Sequence, residues 1–527
     1  QTMPAFVYLI PVVLFFGVAR VPSMIATVIY ALPPVIRLTS LGIRSVSEEA
    51  LEAARSFGST ERQLLYKVQI PLAMPTIMAG VNQTIMMALG IVVIASLIGS
   101  GGLGDVVLKA LRRLRVGQAF EAGLAIVFLA VLLDRLSYAF SQIEHSSYKR
   151  QGYRLLSEKW ANVQLVRLFE NGLDRLYEFL GWPVQRLEKT AVGPYAYWLV
   201  SLLILVILTA VGFAFSTAET ARFGGTIWTG PLMNFPEAWR ISISAPINTA
   251  VDWAQVNLYE IFTIGDVAFG IGPFSDFLTI YILRPLIFVL QDGLSWPVVM
   301  LLVAAGAYAV GEGKLMLTAV LSMVAIGLLG MWEHAMTTLA QVIVAVLLSV
   351  LLGVPLGIWS ARSNTAERII RPILDLLQTI PPFVYLVPVI MLFNIGSIPG
   401  IIASVLYAIP PVIRLTNLGI RQVDKSAVEA AESFGSTARQ TLFKVQLPLA
   451  LPSIMLGINQ TVMMVLAMVI IAGLIGGAGL GFEVIAGFTN NRLGQSVEAG
   501  FAIVLMAIII DRLTQAWAAK RKEAANL

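Results

Sequence analysis

The sequence predicts an all-α, polytopic membrane protein built from a tandem duplication, and three observations predict it. Of 527 residues, 57% are hydrophobic and only 13% charged, whereas soluble domains carry about 25% charged residues. Apolar runs of membrane-spanning length recur along most of the chain. The segment QTMPAFVYLIPVVLFF at Gln1 also returns as QTIPPFVYLVPVIMLF at Gln378, a displacement of 377 that relates Arg37 to Arg414, Gly58 to Gly435, Asn82 to Asn459 and Asp134 to Asp511 without a gap. Internal repeats of this kind are common among transporters.

A hydrocarbon core about 30 Å thick asks for about 20 helical residues. On that rule the predicted spans are 1–17 (partial), 21–37, 75–98, 119–138, 196–215, 296–310, 315–331, 335–359, 373–394, 399–415, 452–475 and 498–513. The apolar run 339–359 and the loop 360–372 precede the second copy and have no counterpart before the first. The expectation is therefore that the first unit is truncated at its N-terminus. The chain then divides into the C-terminal part of a first unit (1–140), a basic linker (141–195), a span with an external insert (196–295) and a second unit (296–527). The insert over 216–295 reads as too polar to span throughout. Its stretch PEAWRISISAPINTAVDWAQVNLYEIF mixes Trp and Ile with charges, which suits helices lying at the interface. An even number of spans before Gln378 returns the second copy in the orientation of the first, which favours 196–215 as a span.

Charge sets orientation. The linker holds Lys149, Arg150, Arg154, Lys159, Arg167, Arg175, Arg186 and Lys189, and the chain closes on KRKEAANL. Placing both inside satisfies the positive-inside rule. One stretch opposes this, since Lys109, Arg112, Arg113 and Arg115 then fall outside.

Several chemistries are excluded. With no cysteine there is no disulfide, thiolate metal site or Cys nucleophile. GEGKL at 311–315 lacks the spacing and hydroxyl residue of a phosphate-binding loop. GSGGLG (99–104) and GGAGLG (476–481) lack a βαβ context and read as tight turns. His145 and His334 have no ligand-spaced partners, so no metal is expected, and no nucleic-acid partner either.

One polar segment is duplicated with the apolar ones. EAARSFGSTERQLLYKVQIPLAMP begins at Glu52, and EAAESFGSTARQTLFKVQLPLALP begins at Glu429. A short helix carrying Ala53 and Ala54 ends at Gly58, which supplies a sharp turn. A second amphipathic stretch leads to Pro71 and Pro75, which favour a helix start over continuation. The product is a helix–turn–helix knuckle whose small-residue face, flanked by Glu52 and Arg55, is expected to dock into another protein. The rival is a solvated spacer, but a spacer has no need of two copies in such close agreement.

At these residues the chain resembles the permeases of ABC importers. Their signature of EAA, three residues, Gly, nine residues and hydrophobic-x-hydrophobic-Pro reads here Glu52-Ala53-Ala54, Gly58 and Val68-Gln69-Ile70-Pro71. It reads again Glu429-Ala430-Ala431, Gly435 and Val445-Gln446-Leu447-Pro448. QTIPPFVYLVPVIMLF, YAIPPVIRLTNLGI, FKVQLPLALPSIMLGINQTVMM and IDRLTQA are similar to the glycine betaine/proline betaine branch, over about 1–140 and 290–515. The departure is that two units share one chain. The resemblance implies a duplicated type I importer transmembrane domain in a bacterial inner membrane, serving osmoprotection. It implies that this chain is no enzyme and binds no cofactor. ATP and magnesium would sit on two copies of a separate cytoplasmic ATPase, each receiving one knuckle, and a separate extracytoplasmic protein would capture substrate.

A cationic betaine favours aromatic faces, so the duplicated Tyr8, Tyr30, Tyr385 and Tyr407 are candidates for the substrate path. Asn82, Gln83, Asn459 and Gln460 join them as polar groups near the starts of spans. Interface anchoring or helix packing is the competing role for each tyrosine, and for Trp228, Trp239 and Trp253. Local pairing is expected within Asp134–Arg135 and Asp511–Arg512. A secondary transporter with parallel repeats remains the alternative. It needs an ion-coupling carboxylate within the membrane, and Asp375 is the acid placed to test it. A membrane enzyme or an osmotically sensitive channel would leave the knuckles without a purpose.

Overall fold

The structure, a computed structural model, describes residues 5–17, 20–96, 100–113, 115–142, 196–214, 217–220, 226–229, 235, 240–264, 267–490 and 492–525. Most of the basic linker, with His145 and Trp239, therefore lies outside the described residues. Two compact units emerge, one of residues 1–144 and 243–527 and one of 145–242. The described part of the second comprises α8 (Ala196–Ala214) and an antiparallel hairpin of β1 (Thr217–Thr220) and β2 (Thr226–Thr229).

The first unit holds both copies. Copy one is α1 (Ala5–Phe16), α2 (Arg20–Arg44), α3 (Glu48–Ser56), α4 (Glu61–Leu64), α5 (Ile70–Ser96), α6 (Gly102–Arg112) and α7 (Val116–Gln142). Between the copies come α9 (Ser244–Asn257), hairpin β3 (Phe262–Ile264)–β4 (Val267–Phe269), α10 (Ile271–Phe277), α11 (Arg284–Phe288), α12 (Trp296–Leu328), α13 (Trp332–Arg362) and α14 (Asn364–Thr379). Copy two is α15 (Pro382–Phe393), α16 (Ser397–Arg421), α17 (Lys425–Ser433), α18 (Ala438–Thr441), α19 (Leu447–Ala472), α20 (Leu480–Thr489) and α21 (Leu493–Ala525). The repeat seen in sequence is thus a repeat of seven helices in the same order.

Eight helices among the described residues are long and apolar enough to cross a membrane, or nine if a bent pair counts as one span. In lipid every backbone polar group needs an internal partner, which helices supply. The bent pair corrects the span expected at 373–394: α14 and α15 meet at 105°. The cause is Pro381-Pro382. A residue before proline is driven out of the helical region, and Ile380 is extended at φ −73° and ψ 126°. The spans expected at 296–310 and 315–331 are instead one helix, α12, of 33 residues. No proline interrupts it, and the Gly311 and Gly313 penalties, roughly 1 kcal/mol each, do not break two strongly apolar flanks. GEGKL accordingly sits inside a helix.

The insert is also redrawn. Hairpin and α9 occupy its first part, but 271–293 forms one helical run long and apolar enough to cross. The run carries Pro285 by widening into a π-helical turn just before it, at Leu278–Leu283, and a second such turn closes the run at Val289–Gly293. α9 bridges the copies: its Ser244 N–H donates to Glu121 (2.6 Å), its Asn248 accepts from Gly117 N–H (2.8 Å), and its Gln255 donates to the Met391 carbonyl (2.8 Å).

Small residues set the helix crossings, as expected where lipid removes the hydrophobic drive between helices. A Cβ added at Gly42 or Gly80 would lie 3.0 Å from Thr76 or Leu38, so α2 and α5 nearly touch. Gly419 and Gly457 do the same for α16 and α19, at 2.8 Å from Ser453 and 3.1 Å from Leu415. Gly353 and Gly357 bring α13 onto α16, where an added Cβ would meet Val412 at 2.2 Å and Thr416 at 2.6 Å.

The copies meet reciprocally. α1 packs against α21 of the second copy, and its equivalent α15 packs against α7 of the first. Such an isologous arrangement is that of a two-fold axis. Arg112 donates to Thr489 Oγ1 at 3.2 Å, and these two are equivalent positions, 377 residues apart. Equivalent positions touch only near the axis, so this pair marks it.

Replacing Gly357 with Leu forces the α13–α16 crossing apart. Overpacking costs about 1–3 kcal/mol, so a clear fall in thermal unfolding temperature and in monodisperse yield is expected. Gly306→Ala, whose Cβ would meet nothing within 4 Å, should change neither; equal behaviour of the two variants would refute the crossing.

Candidate functional site

Each knuckle is built from local rules. In copy one, α3 ends at Phe57, and Gly58 turns the chain at φ +78°. Thr60 then caps α4 through a reciprocal box with Gln63. In copy two Gly435 turns at φ +80° and Thr437 pairs with Gln440 in the same way. Both α4 and α18 run into a π-helical turn, Leu65–Gln69 and Leu442–Gln446. Pro71 and Pro448 follow and cannot donate to the carbonyls of Lys67 and Lys444, so a widened turn suits both sites.

The residues predicted for docking are mostly at the surface. Glu52, Ala53, Gly58, Glu429, Ala430 and Gly435 are exposed, and Ala54 and Ala431 half-buried. Pro71 is half-buried and Pro448 exposed, near the starts of α5 and α19. Sequence reading missed the apex. Phe57 and Phe434 are 91% and 93% exposed, large apolar side chains standing in solvent at matched tips. A phenylalanine between a polar helix and a glycine turn was the available signal.

The knuckles differ in their fastenings. Asp424 caps α17, accepting the Ser426 N–H at 2.9 Å, and this bond holds its carboxyl below the usual range. Ser47 makes no such bond in copy one. Copy one instead has Arg55 3.7 Å from Glu61, where copy two has Glu432 and Ala438.

The candidate path residues separate. Tyr385, Tyr407 and Tyr30 pack into the same core. Tyr385 and Tyr407 meet edge-on at 5.9 Å between ring centres. Tyr30 lies near enough to Tyr407 for their phenols to interact electrostatically, a second pair of equivalent positions facing across the axis. Tyr8 is on α1, but its side chain lies outside the described residues. Asn459 accepts from Thr514 of α21 and so fastens its own copy. Asn82 is half-buried, and Gln83 and Gln460 are exposed.

Other candidates resolve locally. Asp511 accepts from Gln515 at 2.7 Å rather than pairing with Arg512, and the Asp134 side chain lies outside the described residues. Asp375 is half-exposed and bonded to Arg414 at 2.5 Å. With Arg421–Glu367 at 2.8 Å it clasps α14 to α16. His334 sits 3.5 Å from Glu483, and no metal-holding cluster occurs among the described residues. Lys109 pairs with Asp105 at 2.5 Å. The glycine turn of copy two is tight, since a Cβ on Gly481 would lie 2.6 Å from the Ile470 carbonyl oxygen, whereas one on Gly102 of copy one would meet nothing within 4 Å. Trp253 is exposed on α9, and the Trp228 side chain lies outside the described residues.

A duplicated helical membrane core, joined about a two-fold axis and extending two matched knuckles, defines a membrane transport permease. The chain belongs to the family described as binding-protein-dependent transport system inner membrane component, which matches residues 1–144 and 353–521. It is a multi-pass inner-membrane protein. It is 33% identical to the trimethylamine N-oxide transport system permease protein of Ruegeria pomeroyi, over 99% of this chain and 70% of that one. It is 40% identical to the glycine betaine/proline betaine permease of Escherichia coli, over 57% of this chain and 88% of that one. It is 43% identical to the glycine betaine permease of Bacillus subtilis, over 54% and 98%.

Two outcomes test the knuckle. Gly58→Ala and Gly435→Ala meet no neighbour, yet they place a side chain at positive φ, costing roughly 1–2 kcal/mol each. Faster amide exchange confined to the knuckles, with the rest of the chain unchanged, is the expected result. The Asp424 cap contributes above the unfolded carboxylate pKa of about 4 and is lost as pH falls through its lowered folded value. The protection factor of the Ser426 amide, its rate relative to the unstructured chain at the same pH, should therefore fall on acidification below about pH 4, and Asp424→Ala should remove the step.

Proposed function

We propose that this chain belongs to the membrane path of an ATP-driven importer of fully methylated amine solutes, glycine betaine and proline betaine foremost. Two identical cytoplasmic ATPase subunits dock on the two knuckles, and a separate extracytoplasmic binding protein delivers substrate. ATP and magnesium are handled by the ATPase. The carrying observation is the pair of knuckles, alike in turn, cap and exposed phenylalanine, on a chain whose relatives are transport permeases. Identical seats suit identical subunits. Glu52, Ala53, Ala54, Glu429, Ala430 and Ala431 supply the flat docking face, Gly58 and Gly435 the turn, and Pro71 and Pro448 the relay into α5 and α19.

The secondary-transporter reading loses its strongest residue. An ion-coupling acid should be buried and poised to change partners, whereas Asp375 is half-exposed and held by Arg414. Trimethylamine N-oxide is the second reading of substrate, favoured by the relative that matches 99% of the chain. Both solutes present a methylated, positively charged nitrogen balanced by a negative oxygen.

The test is co-purification and uptake. The chain, co-expressed with the ATPase and binding protein of its system, should retain two ATPase subunits. In proteoliposomes it should accumulate labelled glycine betaine only with ATP. Gly58→Trp combined with Gly435→Trp should abolish ATPase retention and lower uptake at least tenfold while the chain stays monodisperse. Uptake driven by an ion gradient without ATPase would overturn the reading. Competition by trimethylamine N-oxide, stronger than by betaine, would transfer the substrate assignment.

A further inference from the structure

The axis between the copies passes two pairs of equivalent residues. At Arg112–Thr489 the pair closes by a hydrogen bond. Tyr30 and Tyr407 are the second pair: both pack against the same buried core, close enough for their phenols to interact electrostatically. Tyr385 adds a third ring, edge-on to Tyr407. Its position follows from the break at Pro381, which leaves the Leu377 carbonyl without the N–H expected four residues on. The Tyr385 hydroxyl donates to that carbonyl. The hydroxyl is thus satisfied and the ring is held in place by backbone. One turn before each axial tyrosine stands a small residue, Ala26 and Ala403, both fully buried.

We propose that Tyr30, Tyr407 and Tyr385 form an axial binding site for the methylated cationic head of the transported solute, contacting it through ring faces. The site rests on the function proposed above and names where that solute binds in the membrane chain. Cation–π attraction is strongest in a desolvated setting, and a half-buried ring set on the axis provides one.

The experiment uses the reconstituted complex with its ATPase and binding protein, and reads the KM for uptake of glycine betaine. It also reads inhibition by choline against 3,3-dimethyl-1-butanol, the neutral carbon isostere of choline. Tyr407→Phe and Tyr30→Phe keep the ring and should stay within about threefold of wild type. Tyr407→Leu and Tyr30→Leu should raise KM about tenfold or more and collapse the preference for choline over its isostere. If a Leu variant fails to assemble, fluorinated tyrosine at position 407 should raise KM stepwise with each fluorine, because fluorine drains the ring face of negative charge. Normal KM and preference in the Leu variants, or no response to fluorine, would overturn the site while leaving the importer reading intact. A wild-type complex that takes up no methylated amine would overturn both.

Discussion

Close backbone contact at a few glycines is the constraint on which this molecule depends. Lipid surrounds a helix with material as apolar as its own side chains, so burial gives helices little reason to associate. Dispersion at short range has to supply the attraction. Gly42, Gly80, Gly419 and Gly457 allow it within each copy, and Gly353 and Gly357 extend it to α13. These crossings hold α2 to α5 and α16 to α19, and the knuckle in each copy is the connection between those two helices. A shift at the knuckle therefore reaches the axial helix directly through a rigid crossing.

Proline then shapes what glycine has assembled. Each proline removes a donor, and at Pro71, Pro448, Pro285 and Pro381 the chain answers in one of two ways. Before Pro71, Pro448 and around Pro285 the helix widens by a π-helical turn and continues. At Pro381 it breaks, and a side chain repairs the orphaned carbonyl. The second answer is the more consequential, because it turns α15 toward the first copy and brings Tyr385 to Tyr407. A backbone defect has become the positioning device for an aromatic ring.

Joining two units in one chain frees the axis from strict symmetry. In a pair of identical chains the residue facing Arg112 would be another Arg112, and like charges would repel. Here Thr489 stands opposite and accepts a hydrogen bond. Asp424 and Ser47 differ in the same way, as do Glu432 and Arg55. Phe57 and Phe434, Gly58 and Gly435, and Tyr30 and Tyr407 are among the pairs that remain identical across the copies.

Much of this was legible in sequence. Repeat, helical class, knuckle and turn glycines each follow from local chemistry: hydropathy, an unchanging displacement, capping residues and the conformational freedom of glycine. The family resemblance was carried by the EAA residues themselves. The misreadings share a cause, since hydropathy counts polar residues without knowing their partners. The helix at 271–293 was read as part of a polar insert, α12 was read as two spans, and Asp511 was given the neighbouring Arg512 when its partner is Gln515. By itself the sequence determined what each segment is, because helix, turn and cap depend on residues a few positions apart. Only the tertiary structure decided which segments meet: the reciprocal packing of the copies, the bond from Arg112 to Thr489 and the gathering of three tyrosines. Those contacts span tens to hundreds of residues, and no local pattern encodes a distance across the fold.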